Sequence, residues 1–225
     1  MLKNTSSRGV MGIEAALVLI AFVIVAAALS FVVLNMGFSS TQQAKETVTK
    51  GMAEASSALH VSGDVVSAND IPLTRVNATQ FPIKIVAGGT GVNLNATLAT
   101  VRLNTGTVQY DNLLKKSCVL TSTTYSSMAT ALNAAVTSGC ISSNPVSSAG
   151  TAPSTTQAVI YWGVQKNTNE ILDPGEHANI VFVFASGDRP MVSQRINAEL
   201  ILDSGAPVKF FRNVPPLNDR YSSMG

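Results

Sequence analysis

The alternation of apolar and polar positions changes character near residue 35. "RGVMGIEAALVLIAFVIVAAALSFVVLN" runs from Arg8 to Asn35, and between Ala15 and Leu34 only Ser30 is polar. About 20 apolar residues at 1.5 Å each cover a hydrocarbon core of about 30 Å, whereas a cleaved secretory signal has an apolar region of about 7–15 residues followed by small residues. This run is too long for such a signal, and "NMGFSSTQQAKETV" after it offers no A-x-A site. It is therefore expected to remain in the mature protein. It is apolar on all sides, the mark of a helix surrounded by lipid or by protein. Lys3 and Arg8 precede it, which keeps the N-terminus cytoplasmic and exports the remainder of the chain. Beyond it, in "TQQAKETVTKGMAEASSALH", Ala44, Val48, Met52, Ala55 and Leu59 form a narrow apolar stripe at helical spacing. The pattern predicts one helix from Gly12 to about Leu59. A weak point is expected at Gly37, Ser39 and Ser40, and Gly51 costs about 1 kcal/mol relative to Ala.

"HVSGDVVSANDIP" breaks the helical period with Gly63, Asp70 and Pro72. Short β-like runs come next: Phe81–Ala87, Thr97–Leu103, Thr107–Tyr110, Ala158–Val164, Asn179–Ala185, Arg195–Leu202 and Val208–Arg212. Turn signals separate them, among them Gly88-Gly89, Asp173-Pro174-Gly175 and Ser204-Gly205. Several short strands punctuated in this way predict a sandwich or barrel. Residues 121–157 differ, with a short helix expected around Ser127–Val136 and an exposed loop in "ISSNPVSSAGTAPSTTQ". The fold class is α+β: a long N-terminal hydrophobic helix followed by an all-β, Ig-like sandwich.

Composition narrows the function. Net charge is +2 and 12% of residues are charged, without the basic patch that nucleic-acid binding needs. Two cysteines, Cys118 and Cys140, are present. In an exported domain a pair suggests one disulfide, the rival being two unpaired buried thiols. No C-x-x-C and no Cys/His cluster points to zinc. No G-x-x-x-x-G-K-[ST] loop is present, so the chain is not an ATPase of that type, and no G-x-S-x-G elbow or His-based triad suggests catalysis. Neither enzymatic activity nor a cofactor is expected.

The opening residues carry a resemblance. A short basic leader ends in Gly9; Val10, Met11, Gly12, Ile13 and Glu14 come after it, then the unbroken apolar run. This resembles the class III signal peptide of type IV pilin-like proteins. Within that superfamily "VLIAFVIVAAALSFVVLNMGFSSTQQAKETV" is similar to the N-terminal helix of archaellins, the filament proteins of the archaeal flagellum, in their crenarchaeal variety. "NEILDPGEHANIVFVF" at 169–184 and the closing "ILDSGAPVKFFRNVP" resemble a turn-plus-strand and a final hairpin of the same family.

The resemblance implies a processing and assembly scheme. A prepilin-type signal peptidase would cut between Gly9 and Val10, removing residues 1–9 and making Glu14 the fifth residue. Residues 10–60 would serve first as a membrane span and then as filament core. Residues 61–225 would form the exported sandwich of the outer shell. Partners would be other copies in a helical homopolymer, alone or with related subunits, together with a membrane assembly platform and a motor ATPase. The location would be an extracellular surface filament used for swimming.

Individual residues carry a plainer reading beside the sharper one. Glu14 is either the partner of the freed Val10 amine in assembly or a helix-start residue at the membrane interface, where the helix N-terminus favours an anion by about 0.3–1 kcal/mol. Asn77-Ala78-Thr79 and Asn95-Ala96-Thr97 match the N-glycosylation sequon, as does Asn4-Thr5-Ser6 in the leader. The family's frequent glycosylation makes Asn77 and Asn95 candidates. Asn169, Glu170, Asp173 and Glu176 offer oxygen donors of the kind calcium takes, but without EF-hand spacing, and Asp-Pro-Gly is a turn sequence in its own right. The turn is the preferred reading, and no metal is assigned. His60 and His177 read as surface or strand-end residues. Two rivals stand beside the swimming filament: an adhesive archaeal type IV pilin, and a membrane-anchored exported binding domain that never polymerises.

Overall fold

A computed structural model describes residues 7–56, 59–147, 150–203 and 205–225. Two compact units divide the chain, 1–51 and 52–225. Helix α1 spans Ser7–Ser56 without interruption, so the weak point expected at Gly37 does not materialise. Just beyond it Thr41 bonds back into the helix, its Oγ1 donating to the Gly37 carbonyl at 2.8 Å. Every described α1 side chain is exposed, including Ala44, Val48 and Met52 of the stripe. The side chain of Ala55 lies outside the described ones. Leu59 does not continue the stripe. The helix ends at Ser56, and Leu59 starts strand β1 with 7% of its surface accessible. A β-branched and aromatic core nearby outcompetes a lone helical spacing match.

The strands after α1 are β1 (Leu59–Val61), β2 (Val66–Asn69), β3 (Val76–Ile85), β4 (Val92–Asn93), β5 (Thr100–Thr105), β6 (Gln109–Tyr110) and β7 (Leu114–Leu120). Helix α2 (Met128–Thr137) comes next, and then β8 (Gln157–Val164), β9 (Ile171–Leu172), β10 (His177–Val183), β11 (Arg195–Ile201), β12 (Val208–Asn213) and β13 (Tyr221–Ser223). A large sheet has the order β13-β2-β3-β10-β8-β7, with β1 also paired to β3. A smaller sheet has the order β12-β11-β5-β6, and β4 pairs with β9. The helix followed by a β-sheet-rich sandwich is thus the observed architecture. Each of the seven expected strands is found, shifted by a few residues at its ends.

The smaller sheet shows the period-2 pattern of a half-buried surface. Val101, Leu103, Ile196, Ala198, Leu200, Val208 and Phe210 point inward, while Arg102, Asn104, Asn197, Lys209 and Phe211 point out. The large sheet is covered more fully, and Gln157–Trp162 of β8 are buried without alternation. One face meets the small sheet, where the Phe81 and Phe210 rings lie 4.9 Å apart. Helix α2 packs against β7 and β8. The core runs from Leu59 to Met224, and no described α1 side chain enters it.

Pro82 sits inside the central strand β3, where a missing N–H is normally excluded. Its carbonyl accepts from Ser62 N at 2.9 Å, so its nitrogen faces the same side. That side is the gap between β1, which pairs from Ile83 onward, and β2, which pairs up to Gln80. No ladder bond is forfeited.

The segment joining β7 to β8 makes the one parallel pairing in the large sheet. Ser127 caps α2 by accepting from Thr130 N at 3.3 Å, and Gly139, at φ +74°, lets the chain leave the helix in a left-handed turn. Cys140 then reaches back to Cys118 on β7, S–S 1.99 Å and Cα–Cα 4.9 Å, and Ser138 Oγ donates to the Ser117 carbonyl at 2.9 Å. The polar composition after Cys140 predicts an exposed loop; instead Ile141, Asn144, Pro145 and Val146 are buried. Asn144 Nδ2 bonds the Ala129 carbonyl at 3.0 Å and Asn133 Oδ1 at 2.8 Å, and Arg220 Nη2 donates to the Val146 carbonyl at 2.7 Å. Polar composition conceals a packed segment here because its side chains are satisfied by the protein rather than by water. Ser148 and Ala149 of that loop, and Ser204 of a predicted turn, lie outside the described residues. The chain also continues past the β11–β12 hairpin to β13, which crosses to the large sheet and pairs with β2.

Closing a loop of this length removes chain entropy from the unfolded state. We predict that replacing both Cys118 and Cys140 by serine lowers stability by about 3 kcal/mol, measured by denaturation of the full chain in detergent. An unchanged midpoint on reduction would show that the α2 cap and its hydrogen bonds hold the segment alone.

Candidate functional site

The residues singled out by sequence fall into three places. At the start of α1, Gly9 and Val10 are helical, while residues 1–6, with the Asn4 sequon, lie outside the described residues. Glu14 comes four residues after Val10, so the two share one helix face. Glu14 is exposed, as is the apolar surface beyond it: Val18 is 70% accessible, Phe22 72% and Phe31 70%. By length and composition α1 can cross a membrane. A helix segment that is apolar on all its faces is of the kind surrounded by lipid or by protein.

The second place is the 165–176 turn. Here Glu176 is 1% accessible and acts as a hub. Its Oε1 accepts from the backbone N–H of Lys166 at 2.6 Å and Asn167 at 3.4 Å. Its Oε2 accepts from Asp173 N at 3.0 Å and from the indole N–H of buried Trp162 at 3.3 Å. Asp173 Oδ2 accepts from Asn167 Nδ2 at 2.7 Å, and Glu170 Oε2 is taken by Asn95 Nδ2. These carboxylates are used by protein donors, which supports the turn reading of Asp173-Pro174-Gly175. Gly175 adopts φ +88°, and a Cβ there would come within 2.8 Å of Lys166 Nζ. Sequence reading missed the role of Glu176. Its one signal was an acid directly after the Asp-Pro-Gly turn, at the mouth of a strongly apolar strand.

The third place holds the sequons. Asn77 is 4% accessible on β3, and its Nδ2 donates to the Pro145 carbonyl at 3.1 Å. A glycan on that nitrogen would have to open the packed segment around Pro145. Asn95 is half-buried in a loop. Its Oδ1 accepts from Thr97 N at 2.8 Å and Thr97 Oγ1 at 2.6 Å, an Asx turn that ties the two sequon side chains together. His60 lies within β1 and His177 opens β10, both half-buried. Among the described residues no group of three or more His, Cys, Asp or Glu is placed to hold a metal ion.

The model of the family described as archaeal-type flagellin matches residues 9–211. The chain belongs to the archaeal-type flagellin family. The match begins at Gly9 and takes in nearly all of α1, the strands from β1 to β11 and the first part of β12. Probable flagellin 1 of Aeropyrum pernix is 49% identical over 105 residues, 47% of this chain and 51% of that protein. Flagellin FlaB2 of Saccharolobus shibatae is 37% identical over 116 residues, 50% of this chain and 38% of that protein. The chain thus spans about half the length, or less, of these curated relatives. In structure it is similar to the archaeal flagellum of Methanospirillum hungatei strain JF1, TM-score 0.63 at 22% identity, covering 95% of this chain and 99% of that one. It is also similar to the crystal structure of flagellin FlaB1 from Methanocaldococcus jannaschii, TM-score 0.56 at 15% identity, covering 74% of this chain and 95% of that one. At these identities the likeness shows the shared fold.

In this archaeal flagellin fold the Glu176 carboxylate makes charge-assisted bonds to three backbone amides and an indole. We predict that Glu176→Gln, which places an amide N–H where only acceptors fit, destabilises the protein by about 2 kcal/mol. Urea denaturation followed through Trp162 fluorescence measures this. A shift of the midpoint no larger than that of a surface Glu→Gln change would show the hub to be dispensable.

Proposed function

We propose that this protein is a structural subunit of an archaeal flagellar filament and has no catalytic activity of its own. The observation that carries the reading is the exposed α1 surface. The family supplies the setting in which such a surface finds partners, that is, other copies of the same helix. The precursor resides in the cytoplasmic membrane. A prepilin-type signal peptidase removes residues 1–9, and a membrane platform with a motor ATPase assembles residues 10–225 into an extracellular filament. Residues 10–60 form the filament core, and the β domain forms the shell.

Moving α1 from bilayer to filament core keeps its apolar surface from water in both states. Packing of helix on helix therefore decides the equilibrium, and the small residues Ala26, Ala27 and Ala28 allow close approach. Each large apolar side chain kept from water contributes about 1.5–3 kcal/mol, so a core of such helices needs no covalent cross-link. The same surface meeting a different surface on the next subunit, without closing into a ring, yields an open helical polymer. Cleavage leaves an amine on Val10 one helical turn from Glu14, and their pairing neutralises both charges inside the core. Of the two sequons Asn95 is the more accessible and is the glycosylated one, its glycan displacing the Nδ2 bond to Glu170, whereas Asn77 Nδ2 is buried against the Pro145 carbonyl. The family match favours this reading over an adhesive pilin or a monomeric membrane-anchored binding domain.

We predict that deleting the protein, with the motor intact, abolishes surface filaments and swimming while attachment falls only modestly. In the parent strain, mass spectrometry of sheared filaments should give Val10 as the first residue and a glycan mass on Asn95 alone. Normal swimming with lost adhesion would establish the adhesive-pilin reading instead. A second measurement isolates Glu14. The Glu14→Gln variant should be cleaved as usual yet give a several-fold lower filament yield, and full yield would reduce Glu14 to an interface residue.

A further inference from the structure

Outside the turn, the sequons and α1, the outer face of the large sheet carries a feature that the filament reading leaves unused. A groove of about 530 Å³ lies across β3, β10 and β8, flanked by the 125–128 segment on one side and by β13 on the other. Its volume is in the range of small-molecule sites, about 300–1,000 Å³. Among the described residues lining it there is no Asp, Glu, Lys or Arg. Its walls carry Tyr125 and Tyr221, and its floor Tyr161, Gln80, Asn179 and His177.

The floor is a directed chain of hydrogen bonds. Burial pushes the Tyr161 phenol up to about 12, so it stays protonated and donates, its hydroxyl reaching Gln80 Oε1 at 3.0 Å. Gln80 Nε2 in turn donates to Asn179 Oδ1 at 2.9 Å. With both amide oxygens and the phenol proton engaged, each amide orientation is fixed, and the Asn179 amide nitrogen is left with no acceptor among the described residues. Such chains polarise along their length and sharpen the terminal donor. Gly163 keeps the space beside that nitrogen open, since a Cβ there would stand 3.3 Å from it.

The walls are held as firmly. Tyr125 N donates to the Trp162 carbonyl at 2.9 Å, and the Tyr125 and Tyr161 rings meet edge to face, centroids 6.0 Å apart. Tyr221 is 47% accessible. Aromatic rings offer a flat, weakly polar surface, and fixed amides offer paired donors and acceptors. A ligand matching both has C–H faces alternating with hydroxyl rims and carries no charge.

We propose that this groove is a binding site for a neutral saccharide, stacked on Tyr125 and Tyr221 and hydrogen-bonded by Asn179 and Gln80. An anionic sugar finds no Lys or Arg among the described lining residues, and a charged peptide would bury its charge without such a partner. The site stands whether or not the chain polymerises, so its test is independent of the filament reading.

The test uses the full chain in a detergent without a sugar headgroup. Cellotriose, mannotriose and chitotriose serve as neutral probes, with sialyllactose and a heparin tetrasaccharide as charged ones, and saturation-transfer NMR and tyrosine fluorescence report binding. At least one neutral trisaccharide should bind, and the charged probes should bind more weakly. Tyr221→Ala should weaken it about tenfold, as loss of one stacking partner does, while Tyr221→Phe keeps it. Tyr221 lies exposed on an edge strand, so the fold survives the change; Asn179→Leu provides a second, independent loss. The proposal is overturned if no neutral probe binds, if charged probes bind equally well, or if binding survives both Tyr221→Ala and Asn179→Leu.

Discussion

A fifty-residue helix whose described side chains are all exposed is the constraint on which the rest depends. Its apolar run is long enough to cross a membrane and is poorly suited to water. The sandwich, by contrast, has to be complete in itself, and it is: its core draws on residues from Leu59 onward. A domain that needed the helix for its core would unfold whenever the helix changed surroundings.

The legibility of the sequence tracks the strength of its periodicity. The apolar run and the alternation of β5, β11 and β12 announce themselves, because one buried face imposes a period that composition cannot hide. Helix α2 is legible within one residue, since Ser127 caps it and alanines fill it. Strand β7 is not, because Lys115, Lys116 and Ser117 interrupt its apolar pattern and its pairing to β8 is irregular there. Strands β1, β4, β9 and β13 are two or three residues long, too short for any period to show.

The sites obey the same logic. Processing residues and sequons are local motifs, readable from a few adjacent letters. Burial is not local. Asn77 and Asn95 look alike in sequence, yet one is buried against the Pro145 carbonyl and the other is half-buried in an Asx turn beside Glu170. Glu176 looks like one surface acid among three, and only the return of β10 alongside β8 brings it under Trp162. The saccharide groove is assembled from residues between 66 and 221 and leaves no trace in any short window.

Exposed sheet margins tend to recruit strands from neighbouring molecules, a hazard that grows with local concentration. A secretion site feeding a polymer holds many copies of one chain side by side. The margins here are disarmed in different ways. β13 and β6 are too short to template a partner, at three and two residues. β7 turns Lys115 and Lys116 outward and departs from regular pairing, and its far side is stapled to Cys140. β12 carries Lys209 and Arg212. With edge-to-edge fusion discouraged at these four margins, a crowd of such chains is steered away from cross-β aggregate, whatever surface they use to associate.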